Sequence, residues 1–202
     1  MKISQAAVEL ILASEGVDEP SRWPGGGSGI TLGFGFDLGY YTADEFTDAW
    51  QKHLRSDHLA LLKTALGKTG EAARAIAFRF NGIKVTRSES LEVFHRVTLP
   101  TWEAKTAKAF PGSDSLPADA FGGLVSLCFN RGPEIDNSDR RREMKAIRNL
   151  IRDWEGTAKT LPVLLANIAA QFREMKRIWR GKGLDGLITR RENEARLIER
   201  AA

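Results

Sequence analysis

EGVDEPSRWPGGGSGITLGFGFDLG, residues 15–39, holds eight of the chain's 19 glycines, with Glu15 and Asp37 near its two ends and almost nothing that favours a helix. Glycine costs backbone entropy and helps only where the chain turns tightly or runs close to something else. Within the stretch, ITLGFGF alternates apolar residues with glycine or threonine and reads as a short hairpin, a place where a ligand and a backbone can approach closely. Glu15 stands where an N-terminal helix runs out, and Asp37 where the hairpin ends. The plain alternative is a glycine-rich hairpin whose charges are solvated.

Outward from this element the periodicity is helical. Residues 3–14 form an amphipathic helix with Ala6, Val8, Ile11 and Leu12 among its apolar positions. Thr42 with Glu45, and Thr86 with Glu89, have the spacing of a capping box. The first opens a helix to about Leu62; the second opens one carrying Leu91, Phe94 and Val97, which Pro100 kinks or ends. Between them, residues 66–80 restart a helix. PGSDSLPAD is a loop, and DAFGGLVSLCFNRG is a nearly all-apolar helix, the candidate centre of the larger lobe. A helix follows at roughly 140–154. Thr160, with Pro162 in the first turn, caps another that runs to about Trp179. ENEARLIER closes the chain. The pattern predicts an α+β fold, mostly helical with one small β element near the N-terminus.

Composition narrows the function classes. The 202 residues suffice for one large domain or two small lobes. Cys128, the single cysteine, sits in an apolar run and reads as a buried hydrophobe. His53, His58 and His95 are scattered without metal-ligand spacing, so no metal or other cofactor is expected. No run of 18 apolar residues is present, so no membrane span is expected, and MKISQAAVELILASEG lacks a recognisable signal-peptide pattern. The formal charge of +4 is uneven: residues 1–130 carry 13 Lys and Arg against 15 Asp and Glu, and residues 131–202 carry 17 against 11. The basic second part suits a polyanion such as an acidic cell-wall polymer, and no nucleic-acid motif competes with that reading.

Glycosidic cleavage needs one carboxylic acid to protonate the leaving oxygen and a second carboxylate to activate water or stabilise positive charge. Glu15, after the apolar LILAS, is the candidate acid if burial keeps it protonated. Asp37, near loop amides that favour its ionised form, is the candidate second carboxylate. Thr31, six residues earlier, shares its face and offers a hydroxyl to hold water. Glu15 as a surface residue, Asp37 as a turn former and Thr31 as a strand former are the bland readings of the same positions.

EG at 15–16, GITLGFGFDLG at 29–39, GGLVSLCFNRG at 122–132 and GLDGLITRRENEARL at 183–197 together resemble, in order and over nearly the whole chain, the phage-type lysozymes. These are the muramidases of bacteriophage endolysins, and the pesticin-like lysozyme domains are the most similar members. The resemblance implies a single lysozyme-like domain over 1–202, with a small hairpin lobe at about 14–65 and a larger helical lobe at about 66–202 plus the N-terminal helix. It implies hydrolysis of the β-1,4 bond between N-acetylmuramic acid and N-acetylglucosamine in bacterial peptidoglycan. Glu15 would be the general acid and Asp37 with Thr31 would position water. Arg190 or Arg191, with Arg190 favoured, would support the acid. Trp23, Ser28, Asn130 and Arg131 would bind substrate, with Tyr40 and Tyr41 as further aromatics near the hairpin. The family's usual catalytic aspartate lies between the glutamate and the threonine, where this chain offers only Asp18 and Glu19; Asp18 is therefore the fallback for the second carboxylate. A monomer acting on the wall in the periplasm or outside the cell is implied, with an immunity protein as partner if the chain is an antibacterial effector. A lytic transglycosylase and a non-catalytic peptidoglycan-binding module are the alternatives.

Overall fold

The computed structural model describes residues 2–202 and is mostly helical with one small antiparallel sheet. The chain divides into two compact units, Glu15–Pro100 and a discontinuous unit of residues up to Ser14 together with Thr101–Ala202. The sequence reading ends the smaller lobe near 65. The compact unit runs on to Pro100, because Ala73, Ala77, Phe80, Ile83 and Val93 pack into the same core as the hairpin.

In the unit Glu15–Pro100, β1 (Thr31–Leu32) and β2 (Phe36–Asp37) pair antiparallel, with Thr31 opposite Asp37 and Leu32 opposite Phe36. Gly33 and Gly35 turn the chain at φ +65° and +68°, a region that disfavours side chains with a Cβ. Phe36 anchors the hairpin to the core. It stacks on Tyr41 at 3.9 Å between centroids and meets Trp50 edge-on at 5.8 Å. Trp50 ends α2 (Ala43–Trp50), whose Thr42–Glu45 capping box is formed as the spacing predicts. The helix expected to reach Leu62 breaks after Trp50 and resumes as α3 (Ser56–Lys63). Residues 66–80, expected as one helix, give the short α4 (Gly70–Arg74) and a 3-10 turn at Ala77–Phe80.

The Thr86–Glu89 box opens α5 (Arg87–Val93). Pro100 does not end the helical run. The helix widens into a π-type segment at Phe94–Thr98, with Leu99 N–H donating to Phe94 C=O, before α6 (Leu99–Ala109) continues. The proline thus falls in a first turn, where its missing N–H costs little.

The discontinuous unit is built on α7 (Ala118–Arg131), buried without interruption from Ala120 to Cys128. Its neighbours are α1 (Gln5–Ala13), α8 (Arg142–Arg152), α9 (Leu161–Glu174) and α10 (Asp185–Glu199). Leu124, Leu127 and Cys128 share a core with Met144 and Ile147 of α8, Leu165, Ile168 and Phe172 of α9, and Ala195 and Ile198 of α10. Two adjacent glycines permit the close packing: a Cβ on Gly122 would lie 2.2 Å from that of Ala7, and one on Gly123 would lie 2.7 Å from Ile198. Buried Glu103 ties the N-terminus down by accepting from the Ile3 amide at 3.1 Å. Pro162 sits in the first turn of α9 as expected. The Thr160 side chain accepts no capping bond from that helix; its hydroxyl instead meets Thr157 and accepts from the Trp154 indole at 3.0 Å. No helix of the described residues is long and apolar enough to cross a membrane.

Candidate functional site

Thr31 and Asp37 are cross-strand partners, so their side chains lie on one face of the hairpin. The turn at Gly33–Gly35 places them on opposite strands and keeps the shared face. Thr31 is buried and Asp37 half-buried. The Asp37 carboxylate accepts from Gly29 N–H at 3.0 Å to each oxygen and from Gly39 N–H at 2.8 Å. These are the loop amides that the sequence reading sought. Both glycines are required, since a Cβ on Gly29 would stand 2.3 Å from Asp37 Oδ1 and one on Gly39 2.5 Å from the Thr69 methyl.

Glu15 follows the C-cap residue Ser14 of α1 and is half-buried. Three residues on, Asp18 joins the hairpin directly. Its N–H donates to Gly33 C=O at 2.6 Å, its C=O accepts from Gly33 N–H at 3.1 Å, and its carboxylate accepts from Gly35 N–H at 3.3 Å. Burial pushes its carboxyl up to about 6, the Gly35 amide opposes this, and the charges of Glu15 and Asp37 add to the rise. Asp18, tied to the hairpin that carries Thr31, is thus within electrostatic reach of both Glu15 and Asp37. A carboxyl that holds a proton near neutral pH beside others is a common arrangement for acid–base chemistry.

The glycine loop before the hairpin is pinned by its own aromatics. Trp23 donates its indole N–H to Ser28 C=O at 2.8 Å, and the same carbonyl accepts from Gly70 N–H at 3.0 Å. Arg74 lies 6.0 Å from the Trp23 ring centroid. Tyr40 is exposed, and its hydroxyl donates to Gly27 C=O at 3.1 Å. Tyr41 belongs to the core through Phe36. Trp23 and Ser28 thus hold the loop through the indole and the main chain, and exposed Tyr40 holds it through its hydroxyl.

Asn130, Arg131, Arg190 and Arg191 belong to the discontinuous unit. Arg190 and Arg191 are both buried on α10 and converge on Glu194, a residue the sequence reading passed over. Arg191 Nε lies 2.6 Å from Glu194 Oε2 and its Nη2 donates to Oε1 at 2.8 Å. Arg190 reaches Glu194 at 3.4 Å and the Ser126 carbonyl and hydroxyl at 3.2 Å, while Ser126 Oγ donates to Glu194 at 2.6 Å. The spacing R-R-x-x-E, with acid and base three and four residues apart, carried the signal. Arg131 and Arg191 approach the Trp179 ring at 5.3 and 5.7 Å. Burial, with Arg141, Arg191 and Arg140 nearby, pushes Arg131 down to about 10. Arg131 also donates to Arg140 C=O, and its own carbonyl accepts from Arg141 at 2.6 Å. Half-buried Asn130 lies beside it in the last turn of α7.

Cys128 is fully buried, and burial pushes its thiol up to about 12, too high for a nucleophile at neutral pH. Among the described residues no group of three or more His, Cys, Asp or Glu is placed to hold a metal ion. No protein-family model matches the chain, and a search of curated proteins finds no significant match.

Proposed function

We propose that the protein is a muramidase, hydrolysing the β-1,4 bond between N-acetylmuramic acid and N-acetylglucosamine in bacterial peptidoglycan. One observation carries the reading: Thr31 and Asp37 face each other on a glycine hairpin, with Asp18 in the field of both Asp37 and Glu15. Hydrolysis of a glycoside asks for a protonated carboxyl, an ionised one and a fixed water, and this arrangement supplies candidates for each.

In this proposal Glu15 protonates the leaving oxygen. Asp37, fixed by the Gly29 and Gly39 amides, orients a water that the Thr31 hydroxyl also holds. Donors already locked in place do not have to reorganise as charge develops. Exposed Gly26 and Gly27 leave the backbone of the loop before the hairpin open to a sugar. The excess of arginine and lysine beyond residue 130 favours association with an anionic wall polymer.

The test is turnover of purified peptidoglycan, followed by turbidity and by mass spectrometry of the released muropeptides. Reducing-end products carrying one added water are expected, and Glu15→Gln should cut the rate by about 10²-fold or more. Anhydro-sugar products would make the protein a lytic transglycosylase, and binding without cleavage would make it a wall-binding module. A Glu15→Gln protein that turns over like wild type overturns the acid assignment.

A further inference from the structure

Six asparagines occur in the chain, and the structure shields five of them from attack by their own main chain. An asparagine amide is lost when the main-chain nitrogen of the next residue reaches its Cγ, so the bonding of that nitrogen decides which side chains survive. Asn130, Asn149, Asn167 and Asn193 are each followed by a residue of the same helix, in α7, α8, α9 and α10, whose nitrogen is held in the helical ladder. Asn137 is exposed, but Ser138 N–H donates to Asp136 Oδ1 at 2.8 Å, and this side-chain turn occupies the nitrogen.

Asn81 lacks such protection. Phe80 to Ile83 form a β-turn closed by Ile83 N–H donating to Phe80 C=O at 3.1 Å. Asn81 at φ −60°, ψ 134°, followed by Gly82 at φ +86°, makes the turn type II. Asn81 and Gly82 are both exposed, the Cβ position of Gly82 has nothing within 4 Å, and among the described residues Gly82 N–H has no acceptor. Ring closure asks the peptide between them to rotate, which glycine permits because both signs of φ are open to it. The ends of the turn stay fixed meanwhile, since Phe80 and Ile83 are buried in the core of the unit Glu15–Pro100.

We propose that Asn81–Gly82 is a site of spontaneous covalent modification, at which Asn81 is converted to aspartate and isoaspartate. The Gly82 nitrogen gives up its proton and bonds to Asn81 Cγ, closing a five-membered succinimide; the Cγ–Nδ2 bond breaks, and ammonia leaves with that proton. One water then opens the ring. Addition at Cγ gives aspartate, and addition at the main-chain carbon gives isoaspartate. The new charge falls between exposed Arg79 and Lys84 in the chain, so charge is not what harms the turn. Isoaspartate does, because it adds a carbon to a main chain anchored at both ends by Phe80 and Ile83. The inference stands whether or not the protein cleaves peptidoglycan.

The test is ageing of the native protein in warm, mildly alkaline buffer, followed by peptide mapping and by labelling with an isoaspartyl methyltransferase. The peptide carrying Asn81 should gain about one dalton and take the label, and Asn81→Gln should lose both. In urea, where the side-chain turn at Asp136 is lost, Asn137 should begin to convert as well. Asn81→Asp carries the charge without the extra carbon, and aged protein rich in isoaspartate should melt roughly 2–4 °C below it. Native protein that keeps Asn81 intact, or that converts Asn137 or a helical asparagine first, overturns the proposal. Aged protein that melts together with Asn81→Asp overturns the effect assigned to the lengthened turn.

Discussion

Arg191 and Glu194 meet at 2.6 Å on α10, one turn apart, with neither side chain exposed. Arg190 and Ser126 share the same carboxylate. Removing one partner of a buried pair leaves an uncompensated charge, so Glu194→Gln should lower stability by about 3–5 kcal/mol. Ser126→Ala, which deletes one hydroxyl, should cost about 1 kcal/mol. Urea unfolding of both variants measures this, and a loss below about 1 kcal/mol for Glu194→Gln would contradict a buried, mutually dependent cluster.

Gly29 makes room for the carboxylate that the proposed chemistry uses. In Gly29→Ala the new methyl would sit 2.3 Å from Asp37 Oδ1 and 2.6 Å from Gly39 N, so the carboxylate must leave its amide cradle. Turnover of cell walls should fall by about 10²-fold, with a stability cost of about 1–3 kcal/mol. Gly27→Ala is the control: it has nothing within 4 Å of its Cβ and should change stability by no more than about 0.5 kcal/mol. Parallel kinetics and thermal melts separate the two, and equal turnover in both would remove Asp37 from the mechanism.

The Asp18 carboxyl also makes stability depend on pH in a direction unusual for an aspartate. Its value rises from 3.8 to about 6 on folding, so between these values the native state holds more protons than the unfolded chain. This group's contribution therefore weakens as pH rises from about 4 to about 6 and stays unfavourable above that. Allowing for its partial exposure, Asp18→Asn should stabilise the protein by roughly 1–2 kcal/mol at pH 7 and by little near pH 4. Melting curves at the two pH values would refute this if the variant were equally or less stable at pH 7.

Glu192 behaves in the opposite sense. Its hydrogen bonds with Lys176 and then Arg173 hold the carboxyl down to about 2. Its contribution is complete above about 4.5 and is lost as pH falls towards 2. Glu192→Gln should cost about 1 kcal/mol at pH 7, the scale of a partly exposed ion pair. The cost should vanish near pH 2, and a penalty independent of pH would point to packing instead.

Local chemistry was legible in the sequence wherever the interaction was itself local. Thr42 with Glu45 and Thr86 with Glu89 announce their helices by spacing alone, and both boxes form. The hairpin was readable from alternation, but its register was not, because alternation fixes the face of Thr31 and Asp37 and leaves open where the turn falls. Pro100 misled because the run widens into a π-type segment at Phe94–Thr98 and carries on past it, which the residue pattern does not announce. Asp18 looked misplaced for a site residue in the linear order. Only the return of the chain at Gly33 brings it alongside the hairpin. Glu194 was hidden by its charged neighbours, since ENEAR reads as a solvated face until Ser126 covers it.

The contact between Ala7 and Gly122 sets a timetable for synthesis. The first helix leaves the ribosome long before the glycine surface it needs, with more than a hundred residues still to be translated. At about 5–20 residues per second it waits on the order of ten seconds. Meanwhile the stretch Glu15–Pro100, contiguous in the chain, can collapse around its aromatics first. The helix Gln5–Ala13 therefore gains this packing partner only after the whole of Glu15–Pro100 has been made.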